Sequence, residues 1–310
     1  MEYKKLANTN IMVSRLGFGC WAIGGHGYGN VDDYESEKAI TKALDCGINF
    51  FDTADVYGFG HSEEVLSKAL GSKRHDVIIA SKGSVRWDES GRVRKDCTPE
   101  YLMRAVEGSL KRLRLDFIPL YYIHWPDDQT PISDTIGTLV RLKEDGKIGA
   151  IGVSNFSPVQ LIEAMHHATV SAVQVQFNML WRMKANELIP LCNHHSMVLV
   201  AWGALGHGLL TGKFTKYSTF SLEDHRNRLP DFQGGEFIKN LDTVDKLRVI
   251  ANFRGVSLSQ LSLRWILDKV DCSCALFGAK TEGQVMENLG PIDWKLTLKE
   301  LGDIDKVTGK

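Results

Sequence analysis

The pattern of hydrophobic and polar positions divides the chain into two kinds of segment that alternate. Eight short runs are apolar and rich in β-branched or aromatic residues, as expected of strands that are buried on both faces. They are LGFGC (16–20), INFF (48–51), VIIA (77–80), FIPLYYI (117–123), AIGV (150–153), AVQVQF (172–177), VLVAW (198–202) and CALF (274–277). Before them, YKKL and IMV flank the turn residues Ala7 to Asn10 and predict a short N-terminal β-hairpin.

Most segments between these runs have the periodicity of amphipathic helices. SEKAITKALDCG keeps its apolar residues at helical spacing and ends at Gly47, a typical helix C-cap. Thr98–Pro99 and Ser157–Pro158 combine an N-cap residue with proline at the first helical position. The other segments predicted to be helical are SEEVLSKAL, ISDTIGTLVRLKEDG, NELIPLCNHH, 240–254, 257–269 and, as the last helix, TEGQVMENL.

This alternation of strands and helices predicts an α/β fold with a parallel sheet. Eight strand–helix units in 310 residues fit one closed (β/α)₈ barrel, a TIM barrel, better than two domains. Because no linker or change of composition divides the chain, we expect residues 1–310 to form a single domain. The longest irregular stretch, roughly 203–239, is rich in glycine and is expected to be a functional loop after the seventh strand.

Composition and charge exclude several classes of protein. With 37 basic and 38 acidic residues, the chain has a net charge of −1 and no general attraction to nucleic acid or to an acidic membrane surface. The N-terminus lacks the apolar core of a secretory signal, and no stretch reaches the roughly 18 apolar residues of a membrane helix. The six cysteines are scattered rather than arranged as a disulfide framework. We therefore expect a cytoplasmic protein with reduced thiols.

Two further kinds of site are not expected. The pairs His166–His167 and His194–His195 are neighbours in or beside helices, so their side chains diverge and make poor metal ligands. Cys272 and Cys274 lack both the spacing and the partner pair of a zinc site. Residues 17–22 match the dinucleotide-binding pattern G-x-G-x-x-A, but the glycines that follow prevent them from opening a helix.

In a (β/α)₈ barrel, functional residues lie at the carboxyl ends of the strands. Three consecutive predicted strands bring Asp52, Lys82 and His124 to this rim, and Tyr57 follows Asp52 closely. A free tyrosine has a pKa of about 10, and we expect the Lys82 ammonium to lower the pKa of Tyr57 while Asp52 holds the lysine in place. With His124 orienting or donating to a carbonyl oxygen, this group can protonate that oxygen as hydride reaches the carbon.

The order of motifs resembles that of the aldo-keto reductase superfamily. GINFFDTADVYG, IASK, YYIHWP, GVSNF, AVQVQFN and GAKTEGQVMENL follow one another across nearly the whole chain. The first motif, with its Tyr five residues after the Asp, and the HWP motif are specific. The resemblance implies that Asp52, Tyr57, Lys82 and His124 form the catalytic tetrad, with Tyr57 as the acid. The GCWAIGG start and the long loop are similar to a bacterial branch that acts on sugars and small aldehydes.

The same resemblance implies a nicotinamide cofactor. Ser154, Asn155 and Gln174 match positions that hydrogen-bond the carboxamide of the nicotinamide, and Trp202 matches an aromatic residue that stacks under the ring. The loop that covers the pyrophosphate is matched by Gly203, Ala204, Leu205 and Gly208. The start of the last predicted helix and the positions around the adenosine are matched by Gly278, Ala279, Lys280, Thr281, Gln284, Glu287 and Asn288.

Two of these residues bear on the choice of cofactor. Lys280 resembles the residue that contacts the 2′-phosphate of NADP, so NADP(H) is expected over NAD(H). Many members of the superfamily have Arg four residues later, where this chain has Gln284. Loss of a bidentate guanidinium argues against a strict preference.

The expected activity is reduction of the carbonyl of an aldehyde, ketone or sugar to an alcohol. We expect the substrate pocket to be shaped by the loop 203–239 and by Trp21, Val56, Trp87 and Trp125. One alternative is oxidation of a sugar or polyol by the same residues in reverse. Another is a nucleotide-binding channel subunit without turnover, against which the short segment before the first barrel strand argues.

Overall fold

The strands follow the predicted apolar runs closely. The protein was analysed as a computed structural model, and the structure describes residues 1–25, 27, 29 and 31–309. In chain order the strands are β1 (Tyr3–Lys5), β2 (Met12–Ser14), β3 (Leu16–Gly19), β4 (Phe50–Asp52), β5 (Ile78–Gly83), β6 (Val85–Trp87), β7 (Val93–Lys95), β8 (Ile118–Ile123), β9 (Ile148–Ser154), β10 (Val170–Gln176), β11 (Val198–Trp202) and β12 (Ser273–Phe277). Each of the eight predicted barrel strands overlaps one of these.

Eight of the strands close into a parallel barrel. Their order around it is β10, β11, β12, β3, β4, β5, β8 and β9, and β9 pairs with β10 to complete the ring. Since every neighbouring pair is parallel, all eight carboxyl ends meet at one rim. The predicted (β/α)₈ barrel is confirmed.

Helices surround the barrel and connect its strands. In chain order they are α1 (Asp33–Asp45), α2 (His61–Leu70), α3 (Pro99–Leu113), α4 (Ile132–Glu144), α5 (Pro158–His167), α6 (Met183–His194), α7 (Gly234–Arg254), α8 (Leu258–Lys269), α9 (Glu282–Leu289) and α10 (Leu298–Thr308). Ser157 caps α5 by accepting from the Gln160 amide, as its sequence pattern predicts. No helix within the described residues is long and apolar enough to span a bilayer.

The predicted N-terminal hairpin closes the amino-terminal end of the barrel. β1 and β2 pair antiparallel, and Leu6 and Val13 join the fully buried cluster inside the barrel. The Ser14 amide donates to Asn49 Oδ1 at 2.7 Å, and Ser171 Oγ donates to the Ala7 carbonyl at 2.9 Å. These bonds tie the hairpin to the beginnings of β4 and β10.

Three features differ from the sequence-based expectations. The loop after β11 ends near residue 233 rather than 239, because α7 already begins at Gly234. Because two glycines in its first turn lower the local helix propensity, the start of α7 could not be recognised from the sequence. The hairpin β6–β7 was not predicted, since its strands are only three residues long and carry charged residues. Helix α10 was also missed, although the capping box of Thr297 and Glu300 and the helical spacing of Leu301, Ile304 and Val307 were available signals.

Replacing Leu6 tests the closing role of the hairpin. We expect Leu6→Ala to lower the free energy of unfolding by about 2–4 kcal/mol, because it opens a cavity among fully buried side chains. Urea unfolding followed by circular dichroism measures this as a lower midpoint. Met12→Ala in the same hairpin removes a side chain that is largely exposed and serves as the control. Equal midpoints for the two variants would contradict the closing role.

Candidate active site

A buried ion pair lies at the carboxyl ends of β4 and β5. The Lys82 ammonium donates to Asp52 Oδ1 at 2.5 Å and to the Thr53 carbonyl at 2.7 Å. Its nitrogen also lies 3.4 Å from the Tyr57 hydroxyl. The second carboxylate oxygen of Asp52 accepts from Gln174 Nε2 at 2.7 Å. Lys82 is fully buried and Asp52 almost so, so the pair is closed to bulk water.

The turn after β4 holds Tyr57 over this ion pair. Gly58, directly after it, has a φ of +59°, and a Cβ there would lie 1.8 Å from the Gly24 carbonyl oxygen. Only glycine permits both this conformation and this close approach. The Tyr57 ring stacks against Trp21, with ring centres 6.1 Å apart, and is nearly perpendicular to the His124 ring, whose centre lies 5.6 Å away. The four residues predicted to form the tetrad are therefore together.

The pKa of Tyr57 differs from the sequence-based expectation. Burial, assisted by the negative charge of Asp52, raises this pKa well above its usual value of about 10. The expected lowering by Lys82 is wrong for this state of the protein. The Lys82 ammonium is bound closely to Asp52, and its greater distance from the phenol weakens its effect there. Burial also raises the pKa of Asp52, while Lys82 and Gln174 hold that increase back.

His124 is an uncharged imidazole at neutral pH. Burial, together with the nearby charge of Lys82, lowers its pKa well below the usual value. Its carbonyl accepts from Asn155 Nδ2 at 3.0 Å, which ties the ends of β8 and β9 together. Its Nδ1 atom is buried without a hydrogen-bond partner among the described residues. A neutral imidazole has one N–H to donate, and it does not compete with Tyr57 as an acid.

These groups lie at the base of a cleft of about 1170 Å³. Asp52, Tyr57 and His124 line it, as do Trp21, Val56 and Trp125 of the predicted substrate pocket. The predicted cofactor residues that line it are Ser154, Asn155, Gln174, Trp202, Gly203, Ala204, Leu205, Gly208, Gly278, Ala279, Lys280, Gln284, Glu287 and Asn288. Their binding roles stay predictions, but the fold brings them to one cavity.

Three predicted site residues, Trp87, Thr281 and Lys82, do not line this cleft. Trp87 packs against Phe59, with ring centres 5.9 Å apart, and lines a separate hollow of about 230 Å³ next to α3. It points there because it lies on the β6–β7 hairpin, which the sequence analysis did not predict. Thr281 is the N-cap of α9, and its hydroxyl accepts from the Gln284 amide. Lys82 reaches the cleft only through Tyr57 and Asp52.

The loop after β11 forms one wall of the cleft. The His225 amide donates to the Gly27 carbonyl at 2.9 Å and so joins this loop to the one after β3. His207 Nδ1 lies 3.0 Å from His225 Nε2, and burial lowers the pKa of His207 to about 3. The His207 ring also lies 5.8 Å from Trp21 and 6.2 Å from Trp202. This wall is therefore aromatic and uncharged near the reacting groups.

Three cations crowd the far end of the cleft. Lys213 and Arg226 come from the loop after β11, and Lys280 comes from the start of α9. Burial lowers the pKa of Lys213, and the nearby charges of Arg226 and Lys280 lower it further. Burial and the charge of Arg226 also lower the pKa of Lys280. Such mutual repulsion is relieved by a polyanionic ligand, and the phosphates of a nicotinamide dinucleotide fit that description.

Several cleft residues were not identified from the sequence. Lys213, Arg226 and Arg228 belong to the long loop, which was recognised only as glycine-rich. Their basic character within a functional loop was the available signal. Val93, Arg94 and Lys95 reach the cleft from β7. The alternation of apolar and polar residues in β6 and at the start of β7 was the available signal of this hairpin.

The residues predicted to bind the nicotinamide are linked by hydrogen bonds. Trp202 Nε1 donates to Asn155 Oδ1 at 3.2 Å, and Asn155 Nδ2 donates to Ser154 Oγ at 3.0 Å. Gln174 Nε2 has two hydrogens, of which Asp52 accepts one, so its second N–H and its carbonyl oxygen are both suited to bond a carboxamide. At the other end, Gln284 Oε1 accepts from the Lys280 amide at 2.7 Å. This Gln284 oxygen therefore holds the segment that precedes the N-cap of α9.

No group of three or more His, Cys, Asp or Glu side chains suited to a metal ion occurs in the part of the chain that the structure describes. The expectation that the protein uses no metal stays a prediction.

Similar proteins are found over nearly the full length. The family model described as Aldo/keto reductase family matches residues 15–308. The chain is 40% identical over 311 residues to aldo-keto reductase YhdN of Bacillus subtilis (strain 168), covering 99% of this chain and 93% of that protein. It is 33% identical over 312 residues to the NADH-specific methylglyoxal reductase of Escherichia coli (strain K12), covering 96% and 95%. The solved structure of a glycerol dehydrogenase from Gluconobacter oxydans superposes with a TM-score of 0.91 at 39% identity, covering 98% and 94%.

Proposed function

Because the chain belongs to the aldo/keto reductase family, we propose that it reduces the carbonyl of a small aldehyde, ketone or sugar, with NADPH as hydride donor and Tyr57 as proton donor. That it is an oxidoreductase follows from the family. The observation that carries the proposal is the contact chain from Asp52 through Lys82 to the Tyr57 hydroxyl, beside His124 at the base of the cleft.

The proposed step adds a hydride to the carbonyl carbon and a proton to its oxygen. The cofactor, when bound, supplies the hydride. The Tyr57 O–H bond breaks as the O–H bond of the alcohol forms, which leaves a phenolate that later regains a proton from solvent. Lys82 stabilises the negative charge that develops on the phenol oxygen, and the neutral His124 donates to the carbonyl oxygen.

The raised pKa of Tyr57 favours the reductive direction at neutral pH. A phenol with a pKa above about 10 keeps its proton there, and it is still a stronger acid than the alcohol that forms. Oxidation of an alcohol would instead require the phenolate as base. It is the second candidate, since the glycerol dehydrogenase resembles this chain closely in structure.

The cations at the far end of the cleft support NADP(H) as the preferred cofactor. Burial and the charge of Arg226 lower the pKa values of Lys213 and Lys280, and Asp224, which is ion-paired with Arg226, offsets only part of this. The 2′-phosphate adds further negative charge beside these cations. The Escherichia coli relative is named as NADH-specific, so membership of the family does not decide the cofactor. The proposed preference rests on Lys280 and its neighbours.

Substitutions in the contact chain test the proposed function. We expect Tyr57→Phe to lower kcat for reduction by about 10²–10⁴-fold, because the proton donor is lost. Lys82→Met should have a similar effect with nearly unchanged NADPH affinity, since Lys82 is buried beneath Tyr57 and does not itself line the cleft. Turnover is followed at the absorbance of NADPH over a panel of aldehydes, ketones and sugars, and cofactor affinity by fluorescence.

Two outcomes would contradict this proposal in different ways. Full activity in Tyr57→Phe would rule out Tyr57 as the acid. A wild-type protein that binds NADPH tightly but turns over no substrate of the panel would instead indicate a nucleotide-binding subunit without catalysis.

The pH dependence of turnover tests the direction of the Tyr57 pKa. Because this pKa is raised, the phenol stays protonated, so kcat for reduction should be flat from about pH 6 to 9 and fall only at higher pH. The lowered pKa of His124 adds no protonation step within that range. Oxidation should rise with pH. If kcat for reduction already falls at pH 7–8, about two pH units below the expected fall, the pKa of Tyr57 is lowered in the cofactor complex.

Lys280 tests the cofactor preference. We expect Lys280→Ala to raise the KM for NADPH by about 10- to 100-fold, the effect of losing a charge-assisted hydrogen bond, and to change the KM for NADH little. Lys216→Ala removes a cation from the loop after β11, outside the cleft lining, and is the control. Equal effects of Lys280→Ala on both cofactors would argue against a 2′-phosphate contact.

A further inference from the structure

The cleft is cationic although the chain as a whole carries a net charge of −1. Among the described residues, its acidic lining side chains are Asp52, which is paired with Lys82, and Glu287. Its basic lining side chains are Arg94, Lys95, Lys213, Arg226, Arg228 and Lys280. The cofactor phosphates account for only part of this charge, because the cations fall into separate regions.

The barrel order separates two of these regions. Lys213 and Arg226 lie in the loop after β11, whereas Arg94 and Lys95 lie on β7, in the hairpin that follows β5. In the closed ring, β5 stands diametrically opposite β11. Arg94 and Lys95 therefore face the cleft from across the barrel, away from the cations assigned to the cofactor.

The β6–β7 hairpin carries two kinds of cation, those in ion pairs with its acidic side chains and those that line the cleft. Arg86 pairs with Asp96 at 3.2 Å and Arg92 pairs with Asp88 at 3.0 Å. Arg94 and Lys95 form no ion pair within the described residues, although both line the cleft. Asp96 and Asp88 are paired with Arg86 and Arg92, so the charges of the two cleft-lining cations are available for a ligand.

Lys95 is held on the substrate side of the cleft. Its ammonium lies 5.3 Å from the centre of the Trp125 ring, within the range of a cation–π contact. Trp125 directly follows His124, and its amide donates to Ser84 Oγ at 3.1 Å. Ser84 in turn connects β5 to the hairpin. A short chain of contacts thus links the hairpin cations to the residue beside the reacting carbonyl.

We propose that Arg94 and Lys95 form a binding site for an anionic group, a carboxylate or a phosphate, at the end of the substrate remote from its carbonyl. This inference rests on the proposed function, because it takes the reacting carbonyl to lie at Tyr57 and His124. It names the substrate class as small aldehydes or ketones that carry a negative charge.

The size of the expected effect follows from the exposure of both side chains. Exposed charge pairs are individually weak, and we expect the two together to change affinity by about tenfold, which is equivalent to about 1.4 kcal/mol. Because these charges face solvent, the effect should weaken as ionic strength rises.

Matched substrate pairs test the site. Succinic semialdehyde is compared with butanal, and glycolaldehyde phosphate with glycolaldehyde, in the presence of saturating NADPH. We expect kcat/KM to favour the charged member of at least one pair by about tenfold at low salt, mainly through KM. The first pair reports on a carboxylate and the second on a phosphate, so the comparison also identifies which anion is bound.

Variants of the hairpin provide the controls. The double variant Arg94→Gln/Lys95→Gln should lose this preference, with kcat/KM for the charged substrate falling about tenfold relative to its neutral partner. Arg92→Gln removes a cation from the same hairpin outside the cleft lining and should keep the preference. If both variants lose the preference for the charged substrate equally, the preference comes from the general charge of the surface, and the proposal is overturned.

Failure of this inference is distinguishable from failure of the proposed function. Turnover of butanal and glycolaldehyde without preference for their charged partners would overturn the anion site alone. If no substrate is turned over, the affinity of the NADPH complex for succinate is measured by tryptophan fluorescence in wild type and the double variant. A loss of affinity in the double variant supports the anion site, and equal affinities overturn it.

Discussion

The buried ion pair between Lys82 and Asp52 is the constraint on which the rest of the site depends. Two opposite charges removed from water contribute little net stability, because desolvation offsets their attraction. Here each charge has further partners, namely the Thr53 carbonyl for the ammonium and the Gln174 amide for the carboxylate. The pair therefore joins β4, β5 and β10 and places a positive charge beneath Tyr57. The ion pair therefore fixes the positions of these groups rather than adding stability.

The site combines an uncharged reacting centre with charged surroundings. Burial keeps Tyr57 protonated and His124 neutral, so both have a proton available for hydrogen bonding to a carbonyl oxygen. The cations lie farther out, in the loop after β11, at the start of α9 and on the β6–β7 hairpin. The negative ligand groups proposed to bind there would lie apart from the uncharged base of the cleft. The barrel makes this separation possible because its loops rise from different sides of one rim.

The hairpin and the long loop show how far local sequence patterns reach. The strands of the barrel were predictable because each is an apolar run that must be buried on both faces. The β6–β7 strands lack that signal, since they lie over the rim and carry charges such as Arg94 and Lys95. Trp87 illustrates the consequence: its aromatic character suggested a pocket residue, but the hairpin turns it toward α3.

By itself the sequence determined the barrel and the composition of its rim, because hydrophobic periodicity and the residues after each strand are local properties. It also determined that Asp52, Tyr57, Lys82 and His124 would meet, since parallel strands end together. Only the tertiary structure decided the protonation preference of Tyr57, because burial and the distances to Asp52 and Lys82 depend on packing. The grouping of Lys213, Arg226 and Lys280, and the position of Arg94 and Lys95 across from them, depend likewise on how the loops are arranged around the closed ring.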